Sequence, residues 1–350
     1  MIREIQLENF TVFADASFAP SRGLNVLIGD NGTGKSHLMK LAYAVLAVLA
    51  EANDATAPWT KDGWQRRLAE KLDATFRPES LGRLVSRRQG RRTCRVVIEL
   101  TDGQSVDFSF ANNSTVKVDL EGSPPRPIEN GPIFLPAQEM ISNVRGFASA
   151  YEKRELDFDA TYRDLARALE APPLRGRPKK EVGSILGALE QLMHGSVQQA
   201  DNQSFMFEPE FRGQGPIEMP LVAEGIRKVA TLTYLLRNGA IADSGVLFWD
   251  EPEANLNPRM LSSLARIILQ LANSSAQVFV ATHSLFLLRE FDILLRKAGK
   301  PAAAKFAAMS LNEDGTVGLD VGSSADDVEP IASLEADIDQ TDRYLDLPVS

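Results

Sequence analysis

Hydrophobic and polar positions alternate in two bursts near the start of the chain, Ile2-Arg3-Glu4-Ile5-Gln6-Leu7 and Val12-Phe13 to Phe18. A period of two predicts two short half-buried strands. Gly23 to Gly29 is a compact apolar run bounded by glycines, the pattern of a buried strand. The Ala- and Leu-rich stretch from Ser36 to Ala52 predicts a helix directly after it. Residues 56–92 read as irregular to helical and rich in arginine. Three strands follow, Thr93–Leu100, Ser105–Ala111 and 115–120, joined by Asp102-Gly103 and Asn112-Asn113 turns into a meander. Pro124 to Pro127 breaks the pattern, and Pro132 to Pro136 encloses another short buried strand. Residues 148–200 read as helices split at Pro172 to Lys180, and 203–220 as strand and turn. A helix over Ala223 to Asn238, a strand over Gly245 to Trp249, a helix over Arg259 to Asn273 and a strand over Gln277 to Ala281 complete the patterned part. The chain after Asp320 is weakly patterned.

Composition narrows the class. The chain has 350 residues, 44% hydrophobic and 24% charged, with a formal net charge of -9. This composition suits a globular protein of about two domains with a sizeable core. The single cysteine, Cys94, excludes a disulfide framework and a Cys-rich zinc site. The longest apolar run, Leu38 to Ala50, contains Lys40 and falls short of the roughly 20 residues that a membrane span needs. No targeting signal opens the chain, and a cytoplasmic location is expected. The acidity is concentrated at the end: residues 321–350 hold Asp326, Asp327, Glu329, Glu335, Asp337, Asp339, Asp342 and Asp346 against Arg343 alone. The remainder is nearly neutral and leaves room for local basic patches.

Gly29-Asp30-Asn31-Gly32-Thr33-Gly34-Lys35-Ser36 fits G-x-x-x-x-G-K-[ST] in full. Its glycines let backbone N–H groups turn inward on a polyphosphate, with Lys35 on the β and γ phosphates and the Ser36 hydroxyl on Mg²⁺. The placement between a strand and a helix N-terminus is the one this mechanism requires. Val246-Leu247-Phe248-Trp249-Asp250-Glu251 is an apolar strand ending in two carboxylates. Asp250 would hold Mg²⁺ through water, and Glu251 would polarise the water that attacks the γ phosphate. Val278 to His283 is a further buried strand ending in a histidine that could donate to the γ phosphate. Neither of the other two histidines, His37 and His194, has a partner pattern.

The order Lys35, then Asp250-Glu251, then Thr282-His283 resembles that of ATP-binding cassette (ABC) ATPases. The opening segment to Leu38 looks like the SMC/RecF/OLD branch of that group rather than a transporter cassette. The likeness covers roughly residues 1–45 and 221–290 well and 132–170 loosely. It implies an α/β P-loop NTPase head with an antiparallel β subdomain and an inserted helical lobe. The head would occupy 1–139 and 221–320, the lobe 140–220 and the acidic tail 321–350. It also implies ATP and Mg²⁺ bound between two heads. Gln138 falls at the Q-loop position, where such ATPases contact Mg²⁺ or the attacking water; a plain surface glutamine fits it equally. The signature that would meet the opposite head's γ phosphate corresponds to Val222 to Lys228. There the usual serine is Ala223 and the first glycine is Glu224, whereas Gly225 remains and Arg227 or Lys228 could supply charge. The D-loop position has Asn257 where an aspartate is common.

Too little chain follows His283 for the TOPRIM nuclease of OLD proteins, so any cleavage would come from a partner. Arg83, Arg87, Arg88, Arg91 and Arg92, and separately Arg175, Arg177, Lys179 and Lys180, form two basic runs. Each reads as a solvated face, or as a surface for a nucleic-acid backbone or an acidic partner. Three functions fit the resemblance: a dimeric ATPase switch controlling a nuclease or toxin in defence against phage or plasmids, a RecF-like DNA-maintenance ATPase, and a slowly hydrolysing ATP sensor that restrains a toxin.

Overall fold

The computed structural model describes residues 1–86, 92–200, 203–211, 213, 215–241, 245–274, 276–298 and 304–347. Its order opens with β1 (Ile2–Phe10), β2 (Phe13–Phe18), β3 (Leu24–Gly29), α1 (Lys35–Asn53) and α2 (Lys61–Phe76). The meander β4 (Thr93–Leu100), β5 (Ser105–Ala111) and β6 (Asp119–Leu120) follows, and then β7 (Ile133–Leu135). Residues 140–220, expected as an inserted lobe, form α3 (Phe147–Glu152), α4 (Ala160–Glu170), α5 (Lys180–Met193), β8 (Gly195–Gln199), β9 (Phe205–Pro209) and β10 (Ile217–Glu218). The chain closes with α6 (Glu224–Arg237), β11 (Val246–Asp250), α7 (Pro258–Asn273), β12 (Gln277–Thr282), α8 (Leu285–Lys297), β13 (Ala304–Leu311), β14 (Val317–Gly322) and α9 (Ala332–Leu345).

The main sheet has the order β14-β13-β3-β12-β11-β7, parallel except for the edge strand β14. Both of its faces are covered, as a parallel sheet requires. Val26 and Ile28 of β3 enter one apolar cluster together with α6, α7 and α8. Leu27, between them, enters the other cluster with α1 and the five-stranded sheet β2-β1-β4-β5-β6. Helix α1 lies between the two sheets, which explains why it is apolar all round. Aromatic rings fasten the layers: Phe248 stacks on Phe279 at 4.9 Å, and Phe279 meets Phe18 of the antiparallel sheet edge-on at 6.4 Å.

A single polar residue stitches the sheets where this core ends. Buried Gln277, at the start of β12, accepts from the Ile2 amide at 2.7 Å. Its amide group donates to the Ile2 and Ser21 carbonyls, each at 2.8 Å. Two backbone groups of β1 and one of the β2–β3 connection thus find partners away from water.

The α/β fold expected from the sequence is present, and four local expectations need correction. The run to residue 200 is not helical throughout: α5 ends at Met193, His194 adopts a left-handed φ of 52° and β8 begins at Gly195. The lobe therefore carries a three-stranded antiparallel sheet, β10-β9-β8, beside its helices. The third meander strand shrinks to Asp119–Leu120 because Val118 donates its amide to the Gln65 carbonyl of α2 instead. Strands β13 and β14 extend the main sheet where the sequence pattern assigned no element. The tail is not patternless, since α9 forms there, with Leu334 packed on the core and Asp337 facing Arg289 at 3.5 Å.

Among the described residues no helix is long and apolar enough to cross a membrane. Cys94 is buried, and burial pushes its thiol pKa far up, which leaves an inert apolar filler. Replacing Gln277 with leucine removes all three stitching bonds and should lower the unfolding free energy by about 3 kcal/mol in urea titration.

Candidate nucleotide site

The carboxyl ends of adjacent parallel strands bring the motifs together. Strand β3 leads into the glycine-rich loop, β12 beside it ends at Thr282, and β11 beyond that ends at Asp250. Ligands of open α/β sheets bind at this edge. Asp30, Asn31 and Gly32 are exposed at the loop tip, whereas Thr33 is buried with its hydroxyl donating to the Asp30 carbonyl at 2.9 Å. Gly34 ends the loop with φ 87°, and a Cβ there would come within 2.7 Å of Val12 Cγ2 and 2.8 Å of the Phe13 ring. A side chain at this position is excluded twice, by backbone strain and by the wall of the antiparallel sheet.

Lys35 Nζ donates to the Gly29 carbonyl at 2.6 Å and to the Asp30 carbonyl at 2.8 Å. These bonds hold the buried ammonium inside the curl of the loop. Burial lowers its pKa, opposed by the negative charges of Asp250, Glu251, Asp30 and Glu253. The two terminal carboxylates of β11 therefore face the same space as the lysine. Burial raises the Asp250 pKa, a hydrogen bond with Ser36 opposes that shift, and the neighbouring Glu251 charge adds to it.

Glu251 has a left-handed φ of 48°, a costly conformation for a non-glycine residue. Two bonds hold it: its amide donates to the Ala281 carbonyl at 2.9 Å, and its carbonyl accepts from Lys228 Nζ at 3.1 Å. The Glu251 carboxylate then lies 3.5 Å from His283 Nδ1. Glu253 backs this arrangement. Its Oε1 accepts from the Thr282 hydroxyl at 2.5 Å and from the His283 amide at 3.2 Å. Glu253 escaped the sequence motifs, and Lys228, expected as a charge toward an opposing phosphate, instead holds the Glu251 carbonyl. The second acid of Glu251-Pro252-Glu253 was visible, but its buried contact with β12 depends on strand pairing.

Gln138 is exposed, and its backbone hydrogen-bonds the Tyr162 phenol. Burial pushes the Tyr162 pKa up to about 12, with the charges of Asp159 and Asp250 adding to it. Gln138 also lines a small cavity with Lys228 and Trp249. Ala223 precedes α6 with no side-chain cap, and Glu224 opens the first turn. Gly225 abuts the turn after Glu251: a Cβ there would come within 2.5 Å of the Asn255 carbonyl oxygen. Arg227 is turned inward, with Nη1 3.2 Å from the nearly buried Glu139 carboxylate.

Of the first basic run, Arg87, Arg88 and Arg91 lie outside the described residues. Arg83 pairs with Glu79 at 2.8 Å, and Arg92 donates to Asn9 Oδ1 at 3.2 Å. Arg175 and Arg177 are exposed in the lobe.

A buried carboxylate bonded to a hydroxyl beside a polyphosphate loop fits Mg²⁺, which takes one or two protein oxygens and completes its shell with phosphate and water. Among the described residues no cluster of three or more His, Cys, Asp and Glu side chains forms a self-sufficient metal cage. Ser36 and Asp250 would thus share the ion with the nucleotide.

This sheet, loop and pair of strand ends give the chain the α/β P-loop fold of ABC-type heads such as those of SMC proteins. The chain is similar in structure to an Smc head bound to the C-terminal winged-helix domain of ScpA, with a TM-score of 0.56 at 14% identity, covering 93% of this chain and 98% of the other. It is also similar to an Smc head with an extended coiled coil bound to the C-terminal domain of ScpA from Pyrococcus furiosus, with a TM-score of 0.52 at 13% identity, covering 98% and 99%. No curated protein matches the sequence. Residues 60–289, more than half of the chain, match the family described as "AAA domain, putative AbiEii toxin, Type IV TA system", and the chain belongs to that family.

Asp250→Asn should raise or preserve the ligand-free melting temperature, since it removes a buried charge and its repulsion from Glu251. Mg²⁺-dependent nucleotide binding should fall at least tenfold, read by calorimetry with and without the metal.

Proposed function

We propose that the protein is a Mg²⁺-dependent ATPase whose two heads close on ATP and reopen after hydrolysis, and that this motion controls a bound effector protein. The observation that carries the reading is the meeting of Ser36 with Asp250 beside Lys35, at the ends of three neighbouring strands. In this scheme loop amides and Lys35 hold the β and γ phosphates. Bound Mg²⁺ would neutralise charge on the phosphate oxygens. The Glu251 carboxylate orients the attacking water, and its strained backbone, held by Lys228 and Ala281, sets the direction in which it points. His283 stands beside it as a donor toward the γ phosphate. Catalysis is mainly positioning and electrostatic stabilisation.

Two relatives support the effector half of the proposal: an SMC head that binds ScpA, and a family whose description names a toxin and a toxin–antitoxin system. A nuclease or toxin encoded nearby, acting in defence against phage or plasmids, is the corresponding assignment here. One observation favours slow turnover. Ala223 offers no hydroxyl to an opposing γ phosphate, and Arg227 is committed to Glu139 of its own chain. An ATP sensor that stays closed for long periods and restrains its partner is the second reading. No comparable feature favours the DNA-maintenance reading, because the described members of its main arginine run have intrachain partners.

Lys35→Ala should abolish ATP binding. Glu251→Gln should retain binding, slow phosphate release by about 10²-fold or more and accumulate an ATP-bound dimer in light scattering. Wild-type turnover by Glu251→Gln would remove the assigned role of that carboxylate.

A further inference from the structure

Helix α9 has almost nothing to rest on. From Glu335 to Leu347 every residue is exposed, and none of the helix is buried. It meets the body through Leu334 on the core and Asp337 beside Arg289. A helix of 14 residues is marginal by itself in water and owes most of its stability to packing. Its exposed side chains include Ile338, Tyr344, Leu345 and Leu347, each more than half accessible. Leu334, Ile338 and Leu345 fall along one line of the helix, and Glu335, Asp339, Asp342 and Asp346 along the next, with Arg343 the one base of the helix. Uncovered apolar side chains beside a row of like charge mark an interaction surface.

The complement of that surface lies elsewhere on the same chain. Between the end of α5 and α7 is a cavity of about 520 Å³. Leu192 and His194 line it on one side, Arg259, Met260 and Arg266 on the other, and no acidic residue lines it. Neither arginine forms an ion pair with a described residue. The two stand seven positions apart on α7, about 10 Å along the helix, as Asp339 and Asp346 do on α9. The apolar pair Ile338 and Leu345 repeats at the same interval. No residue of α9 lines the cavity, so the helix of the same chain does not fill it.

We propose that α9 of one copy of this chain docks in the α5–α7 cavity of a second copy. Ile338 and Leu345 enter toward Leu192 and Met260, and Asp339 and Asp346 meet Arg259 and Arg266. Both halves of the contact are written into one sequence and agree in charge, in apolar character and in repeat, which singles out a second copy as the occupant. Docking covers the apolar side chains that α9 leaves in water and supplies the packing that a short helix needs. Reciprocal exchange forms the contact twice and closes the assembly at a dimer. The contact uses no nucleotide, so it stands apart from the ATP-driven closure of two heads proposed above.

Light scattering of the full chain without nucleotide tests the assignment. The wild type should run as a dimer at micromolar concentration and weaken as salt is raised. Asp339→Arg with Asp346→Arg should give a monomer, and so should Arg259→Glu with Arg266→Glu, each at the wild-type melting temperature. Mixing the two charge-reversed proteins should restore a dimer, because each helix then meets a cavity of opposite charge. Ile338→Ser with Leu345→Ser changes no charge and should weaken the dimer about tenfold, and it decides if a reversed variant does not fold. A monomeric wild type, reversed variants that stay dimeric or a mixture that stays monomeric overturns the inference, whatever the protein does with ATP. Loss of duplex DNA binding in Arg259→Glu with Arg266→Glu while the dimer persists assigns this face to nucleic acid and overturns it too.

Discussion

Negative charge gathered at the ends of β3 and β11 is the constraint around which the rest of the molecule is organised. Asp250, Glu251 and Glu253 act on two buried ammoniums, those of Lys35 and Lys228, and Asp30 adds to the charge on the first. Each of these groups would be better solvated in water, and parallel strand pairing holds them together regardless. The fold supplies the compensating stability elsewhere, through an apolar sheet covered on both faces and a central helix with almost no polar side. A cation with a triphosphate would relieve the surplus, so the arrangement is poised for that ligand before it arrives.

The parts of the site that were legible in the sequence are those whose chemistry is local. Gly29 to Ser36 declares itself through spacing, because a loop that turns backbone N–H groups inward needs glycines at set positions. Asp250-Glu251 and His283 stand out because each ends a short apolar run. The α/β class was readable for the same reason: buried parallel strands and the helix between them appear as uninterrupted hydrophobic stretches.

What the sequence hid depends on distant partners. Nothing near Lys228 shows that its ammonium will meet the Glu251 carbonyl, and nothing near Arg227 announces Glu139. Strands β8, β13 and β14 are short or weakly alternating, and pairing rather than propensity makes them strands.

The contact between Gly34 and the Val12-Phe13 turn bears on how the head could move. With Gln277 of the main sheet bonded to Ile2 at the opposite end of β1 from the Val12-Phe13 turn, the main sheet with its phosphate loop meets the antiparallel sheet at two separated points. A hinge between them would have to break both anchors. In the proposed cycle, movement at the γ phosphate would then pass along Lys228 and Arg227 into α6 and the segment around Glu139, with the paired sheets held still.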